Sequence, residues 1–134
     1  MKRVLCSLVI VLAFLTLGCP RKAPVTASGG VPVAGKAVTA DQMRSAIIKG
    51  CIERQWKPVE ISPGLIEASI TVRGKHHVTV SIPYSADRYD IKYKSSINMG
   101  EQQKNGETKL HRNYNTWVNY LHEAIQRQLA MLNL

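Results

Sequence analysis

Leu65-Ile66-Glu67-Ala68-Ser69-Ile70-Thr71-Val72-Arg73, followed by His77-Val78-Thr79-Val80-Ser81-Ile82-Pro83-Tyr84, decides the fold. Both stretches alternate strictly. Ile66, Ala68, Ile70 and Val72 share one face of the first, and Val78, Val80, Ile82 and Tyr84 share one face of the second. Successive side chains of a strand point to opposite faces, so this pattern describes half-buried antiparallel strands. Arg88-Tyr89-Asp90-Ile91-Lys92-Tyr93-Lys94 repeats it with Tyr89, Ile91 and Tyr93. A slip of one residue would turn every apolar side chain outward, which pins the faces. The spacing predicts Val72 opposite Val78, Ile70 opposite Val80 and Ala68 opposite Ile82, around a turn of Gly74-Lys75-His76. It predicts Tyr84 opposite Tyr89 and Val80 opposite Tyr93, around Ser85 to Arg88. Lys57 to Ile61 reads as a shorter strand ahead of the Ser62-Pro63-Gly64 turn.

The strands are flanked by helices. Thr39-Ala40-Asp41-Gln42 is a capping box, with Val38 and Met43 at the positions of a hydrophobic staple. Met43, Ala46, Ile47, Gly50 and Cys51 then recur at helical spacing. Gly50 costs about 1 kcal/mol relative to alanine in a helix, which points to close packing there. The helix ends near Gln55, because Pro58 disfavours helical geometry at Lys57. Cys51 lies on the apolar face and reads as a core residue. A second helix starts near Asn113, with Tyr114, Trp117, Val118, Leu121, Ile125, Leu129 and Leu132 on its apolar stripe. Between strands and helix, residues 96 to 109 read as a loop containing the Asn105-Gly106 turn signal. The expected architecture is α+β, a two-layer sandwich. A three- to four-stranded antiparallel sheet is covered on its apolar face by the N-terminal and C-terminal helices.

The chain of 134 residues has room for one such domain. Ahead of it, Met1-Lys2-Arg3 and the uncharged run from Val4 to Cys19 have the layout of a secretory signal. The run is shorter than the roughly 20 residues of a comfortable spanning helix. Leu15-Thr16-Leu17-Gly18-Cys19 resembles the lipobox of bacterial lipoproteins, with Gly18 and Cys19 matching its core and Thr16 standing where Leu is commoner. The resemblance implies cleavage after residue 18 and lipidation of Cys19 with fatty acyl chains such as palmitate. Each buried methylene contributes about 0.8 kcal/mol, so two or three chains hold firmly where one would not. Pro20 stands where the family's inner-membrane members tend to carry Asp, which implies the periplasmic face of the outer membrane. Residues 19–37, rich in Pro, Gly and small side chains, read as the lipidated Cys and a flexible tether reaching roughly 20–25 Å. The domain is expected over 38–134.

Loss of Lys2 and Arg3 with the signal would change the formal charge from +9 to +7. A basic surface favours polyanions. In an exported protein lacking interleaved exposed aromatics, lipopolysaccharide, peptidoglycan or envelope proteins are the expected partners, and nucleic acid is not. On the exposed sheet face Ser69, Thr71, Thr79 and Ser81 fill the middle. Arg73, His77, Lys92 and Lys94 lie towards one side, with Glu67 and Asp90 at the other. His111 and Asn115 join the first four as candidate binding residues, because they cluster with Tyr114 at a helix start, where free N–H groups favour anions. The simpler reading of that cluster has Asn113 or a neighbour cap the helix, Tyr114 and Trp117 pack on the sheet, and His111 bond a loop.

Catalytic signals are weak. Adjacent His76 and His77 point to opposite faces of a strand, and His111 and His122 are too far apart along a helix to share an ion. No Gly-x-Ser-x-Gly or Ser-x-x-Lys occurs. No catalytic residue, metal or cofactor is expected.

His111-Arg112-Asn113-Tyr114-Asn115-Thr116-Trp117, a His-x-x-Tyr-Asn-x-Trp motif, is similar to one found in small uncharacterised bacterial lipoproteins, as are Trp56, the Tyr-rich strand from Tyr84 to Tyr93, and Ser95 to Asn98. The resemblance spans most of residues 40 to 134 and implies no particular activity. The expected function is that of a non-enzymatic, membrane-anchored envelope lipoprotein, a binding or assembly module. The alternative is a small hydrolase acting on cell-wall or lipid material.

Overall fold

The computed structural model describes residues 22–25, 28–32 and 37–132; the signal and Cys19 lie outside the described residues. Ten elements follow in order: β1 (Lys22–Pro24), β2 (Ser28–Pro32), α1 (Ala40–Glu53), β3 (Lys57–Ser62), β4 (Leu65–Val72), β5 (His76–Pro83), β6 (Arg88–Ile97), β7 (Gln102–Lys104), β8 (Glu107–His111) and α2 (Asn113–Met131). The main antiparallel sheet runs β2-β6-β5-β4-β3, and β1-β8-β7 form a second, smaller one. Both helices pack on the apolar face of the main sheet, so the α+β sandwich is realised.

α1 starts as its capping box dictates. The Gln42 N–H donates to Thr39 Oγ1 at 3.1 Å and the Thr39 N–H donates to Gln42 Oε1 at 2.9 Å. Its end is a Schellman motif. The Trp56 N–H donates to the Cys51 carbonyl at 2.9 Å and the Gln55 N–H to that of Ile52 at 3.1 Å, with Gln55 at φ 62°. This closure drives Trp56 into the core, where 3% of it is exposed. Cys51 is buried too, and burial pushes its thiol up to about 12. α1 meets α2 at Gly50, which lies against Ile125. Arg127 of α2 donates to Glu53 of α1 at 2.7 Å, tying the two helices together at the surface.

Three expectations need correction. The β4–β5 register is Ile70↔Val78, Ala68↔Val80 and Ile66↔Ile82, two residues from the predicted pairing. The turn is Arg73-Gly74-Lys75, with Arg73 at φ 54° and Gly74 at φ 67°. A shift of two leaves every side chain on its own face, so alternation cannot tell the registers apart. The β5–β6 pairing agrees with prediction at Val80↔Tyr93 and at the Tyr84↔Tyr89 bridge.

Secondly, residues 96–109 are not a loop. β6 runs to Ile97, and β7 and β8 form a hairpin whose turn, Asn105-Gly106, has φ 53° and 76°. Those signs suit a two-residue hairpin loop. β7 is exposed throughout and carries no hydrophobic alternation. Thirdly, the segment expected as a tether contributes two edge strands. Lys22–Pro24 pair with Lys109–His111, and Ser28–Pro32 pair with β6. Pro and Gly are tolerated at sheet edges, where one side of the backbone needs no partner.

One polar network sits under α2. Gln126 Nε2 donates to the Tyr89 hydroxyl at 3.0 Å, and that hydroxyl lies within hydrogen-bond distance of His122 Nδ1, at 2.8 Å. Burial holds the His122 pKa below the usual 6.5, against the pull of Glu123. The unfolded chain then binds more protons than the folded one as pH falls through this region. Stability is expected to be complete above about pH 6.5 and to decline as pH drops through the folded value of His122. Melting temperatures between pH 8 and 5 check this; His122→Gln should flatten the decline relative to wild type.

Candidate functional site

The main sheet has an outer face that neither helix covers. Register assembles it in three rows. Lys57, Ser69, Thr79 and Ser95 stand side by side across β3-β4-β5-β6. Val59, Glu67, Ser81 and Lys92 form the next row, and Thr71, His77 and Ile97 the one beyond Ser95. The middle is thus a field of hydroxyls with cations on either side. Thr71 Oγ1 lies 2.8 Å from His77 Nδ1 and holds the ring on this face.

Two local irregularities shape the site. The first is a bulge in β6, where Val80 pairs with Tyr93 and Thr79 with Ser95, leaving Lys94 as the extra residue. A bulge inverts the alternation beyond it. Ser96 consequently turns inward and bonds the Tyr93 hydroxyl at 3.0 Å. Ile97 turns outward and is 60% exposed. Lys94 reaches across to form an ion pair with Glu67.

The second is the inverted polarity of β3. Pairing with β4 directs Lys57 and Val59 to the outer face and Pro58 and Glu60 to the helix side. Glu60 is stabilised there by Arg44 of α1, whose Nε donates at 2.6 Å. Val59 and Ile61 are left 58% and 51% exposed. With Lys57, Glu67, Ser69, His77 and Thr79 they line a shallow depression of about 260 Å³. A strand that faces its charge inward and its branched apolar side chains outward presents a surface for contact.

Of the residues singled out from the sequence, His77, Lys92 and Lys94 belong to this face. Lys94 is engaged by Glu67, so the predicted separation of basic and acidic sides is not observed at that point. Arg73 sits in the β4–β5 turn at the end of the sheet. His111 and Asn115 lie elsewhere. His111 ends β8, and its Nδ1 accepts from the Asn113 N–H at 3.3 Å; Asn115, in the first turn of α2, donates to the Pro24 carbonyl at 2.9 Å. Asn113 does not cap α2; the N-cap position is Arg112, without a side-chain cap bond. Lys57, Val59, Ile61, Ser95 and Ile97 were missed. The alternation of Lys57-Pro58-Val59-Glu60-Ile61 marked the strand, but an apolar-inward reading would have turned it the wrong way.

Tyr114 packs edge-on against Tyr93 with ring centroids 5.5 Å apart, and its buried hydroxyl has no hydrogen-bond partner among the described residues. A buried unpaired hydroxyl is costly, and burial raises its pKa strongly. Tyr114→Phe is expected to stabilise the fold by about 1 kcal/mol, read as a higher urea midpoint at unchanged slope.

Among the described residues, no three His, Cys, Asp or Glu side chains come close enough to hold a metal ion, and no helix is long and apolar enough to cross a membrane. No protein-family model matches the chain, and neither a curated protein nor a solved structure matches it.

Proposed function

We propose that this protein is a lipid-anchored envelope lipoprotein, tethered through Cys19 to the periplasmic face of the outer membrane. There it serves as a binding or assembly module that engages an anionic envelope polymer with its outer sheet face. The single observation that supports the contact surface is the inversion of β3, which exposes Val59 and Ile61 beside the hydroxyl field. Lys57 and Lys92 flank that field, and neither has an ion-pair partner among the described residues. A carboxylate- or phosphate-rich chain lying across the rows would meet hydroxyl donors in the middle and ammonium groups on both sides. The anchor reading rests on the lipobox-like Leu15 to Cys19.

The test uses full-length protein expressed in bacterial cells. Cys19→Ser is expected to move the protein from the membrane fraction to the soluble one, and mass spectrometry of wild type should find an acylated Cys19. Lys57→Glu with Lys92→Glu is expected to weaken retention on lipopolysaccharide or peptidoglycan about tenfold at low salt. These two are chosen over Lys94 because Lys94→Glu would set a second carboxylate beside Glu67. Unchanged retention at an unchanged melting temperature removes the surface from consideration. An uncleaved, unmodified N-terminus removes the anchor.

A further inference from the structure

A second concavity lies on the opposite side of the sheet, where α1 ends. Arg54, Trp56 and Ile70 line it together with Trp117 and Tyr120 of α2, and its volume is about 300 Å³, at the lower end of small-molecule sites. The Schellman turn builds one wall, with Gln55 held at φ 62° at the cleft. Trp56 is buried, whereas Trp117 is half-buried and Tyr120 is 47% exposed.

Arg54 is the group whose presence demands an explanation. Its guanidinium carbon lies 5.2 Å from the centroid of the Tyr120 ring. Its Nε is buried with no hydrogen-bond partner, and no carboxylate pairs with it among the described residues. A guanidinium carries five N–H donors in a rigid fork that suits carboxylate and phosphate groups. Here that fork is held against an aromatic face with its buried Nε unpaired. Glu53, also at the cleft, is occupied differently. Arg127 donates to it at 2.7 Å and Gln128 at 3.3 Å, so it remains an anion whose spare lone pairs can accept from hydroxyl groups. The half-buried indole of Trp117 offers a flat π-face, which favours the C–H-rich face of a ring lying on it.

We infer that this cleft binds a single sugar ring carrying an acid group, with Arg54 taking the acid, Glu53 accepting ring hydroxyls and Trp117 stacking on the ring face. The acid group is a carboxylate or a phosphate ester; both present the oxygen pair that the fork matches. The site is separate from the outer sheet face, so its occupancy does not depend on Lys57 or Lys92.

The experiment titrates the full chain in detergent with N-acetylmuramic acid, N-acetylglucosamine 6-phosphate, neutral N-acetylglucosamine, benzoate and inorganic phosphate. Binding is followed by the indole N–H resonances and by tryptophan fluorescence. Saturable binding of at least one acidic sugar is expected, with the Trp117 resonance moving. The neutral sugar, benzoate and inorganic phosphate should each bind about tenfold more weakly or worse. The two acidic sugars distinguish a carboxylate from a phosphate source. Arg54→Gln should bring the acidic sugar down to the neutral one, and Arg54→Lys should restore part of the difference. Trp117→Ala should weaken both sugars. Should that variant unfold, movement of the Trp117 resonance in wild type carries the same information. Equal binding of acidic and neutral sugars, stronger binding of benzoate, unaltered affinity in Arg54→Gln, or no saturable response to either acidic sugar overturns the inference. Loss of sugar binding in Lys57→Glu with Lys92→Glu would also overturn it, because the ligand would then sit on the outer face.

Discussion

Gly50→Val is expected to destabilise the domain by about 3 kcal/mol or more, and Gly50→Ala by about 1–2 kcal/mol. In an exposed helix the alanine change would stabilise by about 1 kcal/mol, so the sign itself is diagnostic. A Cβ on Gly50 would lie 2.7 Å from Ile125 Cγ1, 2.9 Å from its backbone N and 3.0 Å from its Cα. The first contact can be relieved by trimming a side chain. The other two are backbone, and only separation of the helices relieves them. Separation would open the seam between Ala46, Ile47 and Leu121, Ile125, all at most 2% exposed. The double variant Gly50→Ala, Ile125→Ala should therefore remain less stable than wild type, adding a cavity to the surviving backbone clash. Urea unfolding with two-state analysis measures all three variants. Gly50→Ala as stable as wild type would mean that the helices cross farther apart.

Trp56→Ala is expected to cost about 3–5 kcal/mol, the range for removing a large buried aromatic side chain. Trp56 is the residue that the Schellman turn delivers to the core, between the end of α1 and the start of β3. Its loss removes apolar area and leaves the turn without its hydrophobic anchor. For a domain of about 100 residues, each kcal/mol moves the melting temperature by about 4–8 °C. The drop should therefore be plain in a thermal scan, or the variant should be unfolded at room temperature. Trp56→Phe should lose less. Fluorescence provides a second reading, since the remaining emission comes from half-buried Trp117 and should be shifted towards longer wavelength. A melting temperature within a few degrees of wild type would show that Trp56 is not packed as described.

How far the residues announce this structure differs from element to element. Thr39 and Gln42 are three positions apart and declare the start of α1 without reference to anything distant. The alternation of Leu65–Val72 and His76–Pro83 declares which side chains meet the helices, and the burial of Ile66, Ala68, Val78, Val80 and Ile82 agrees. Which pair of registers holds is another matter. Two pairings two residues apart bury the same set, and the choice falls to backbone conformation at Arg73 and Gly74, where a non-glycine residue in the left-handed region carries no clear signal in the chain. β7 escaped notice because all its side chains are exposed, so no hydrophobic pattern marks it.

The candidate site was legible in part. Its hydroxyls, His77 and the cation Lys92 follow from period two alone. Ile97 does not, because the bulge at Lys94 reverses the period, and Val59 and Ile61 do not, because β3 turns its apolar side chains away from the core. His111 and Asn115 were drawn in by nearness along the chain, whereas their bonds are to the start of α2 and to β1.

Local chemistry by itself therefore determined the helix limits, the faces of β4, β5 and the first part of β6, and with them the two-layer arrangement, since the capping and alternation depend on residues within a few positions of one another. Tertiary structure alone decided the register, the inversion of β3, the contact of Gly50 with Ile125 and the meeting of Arg54 with Tyr120. Those depend on residues far apart in the chain, whose approach is set by the shape of the whole core and leaves no period to read.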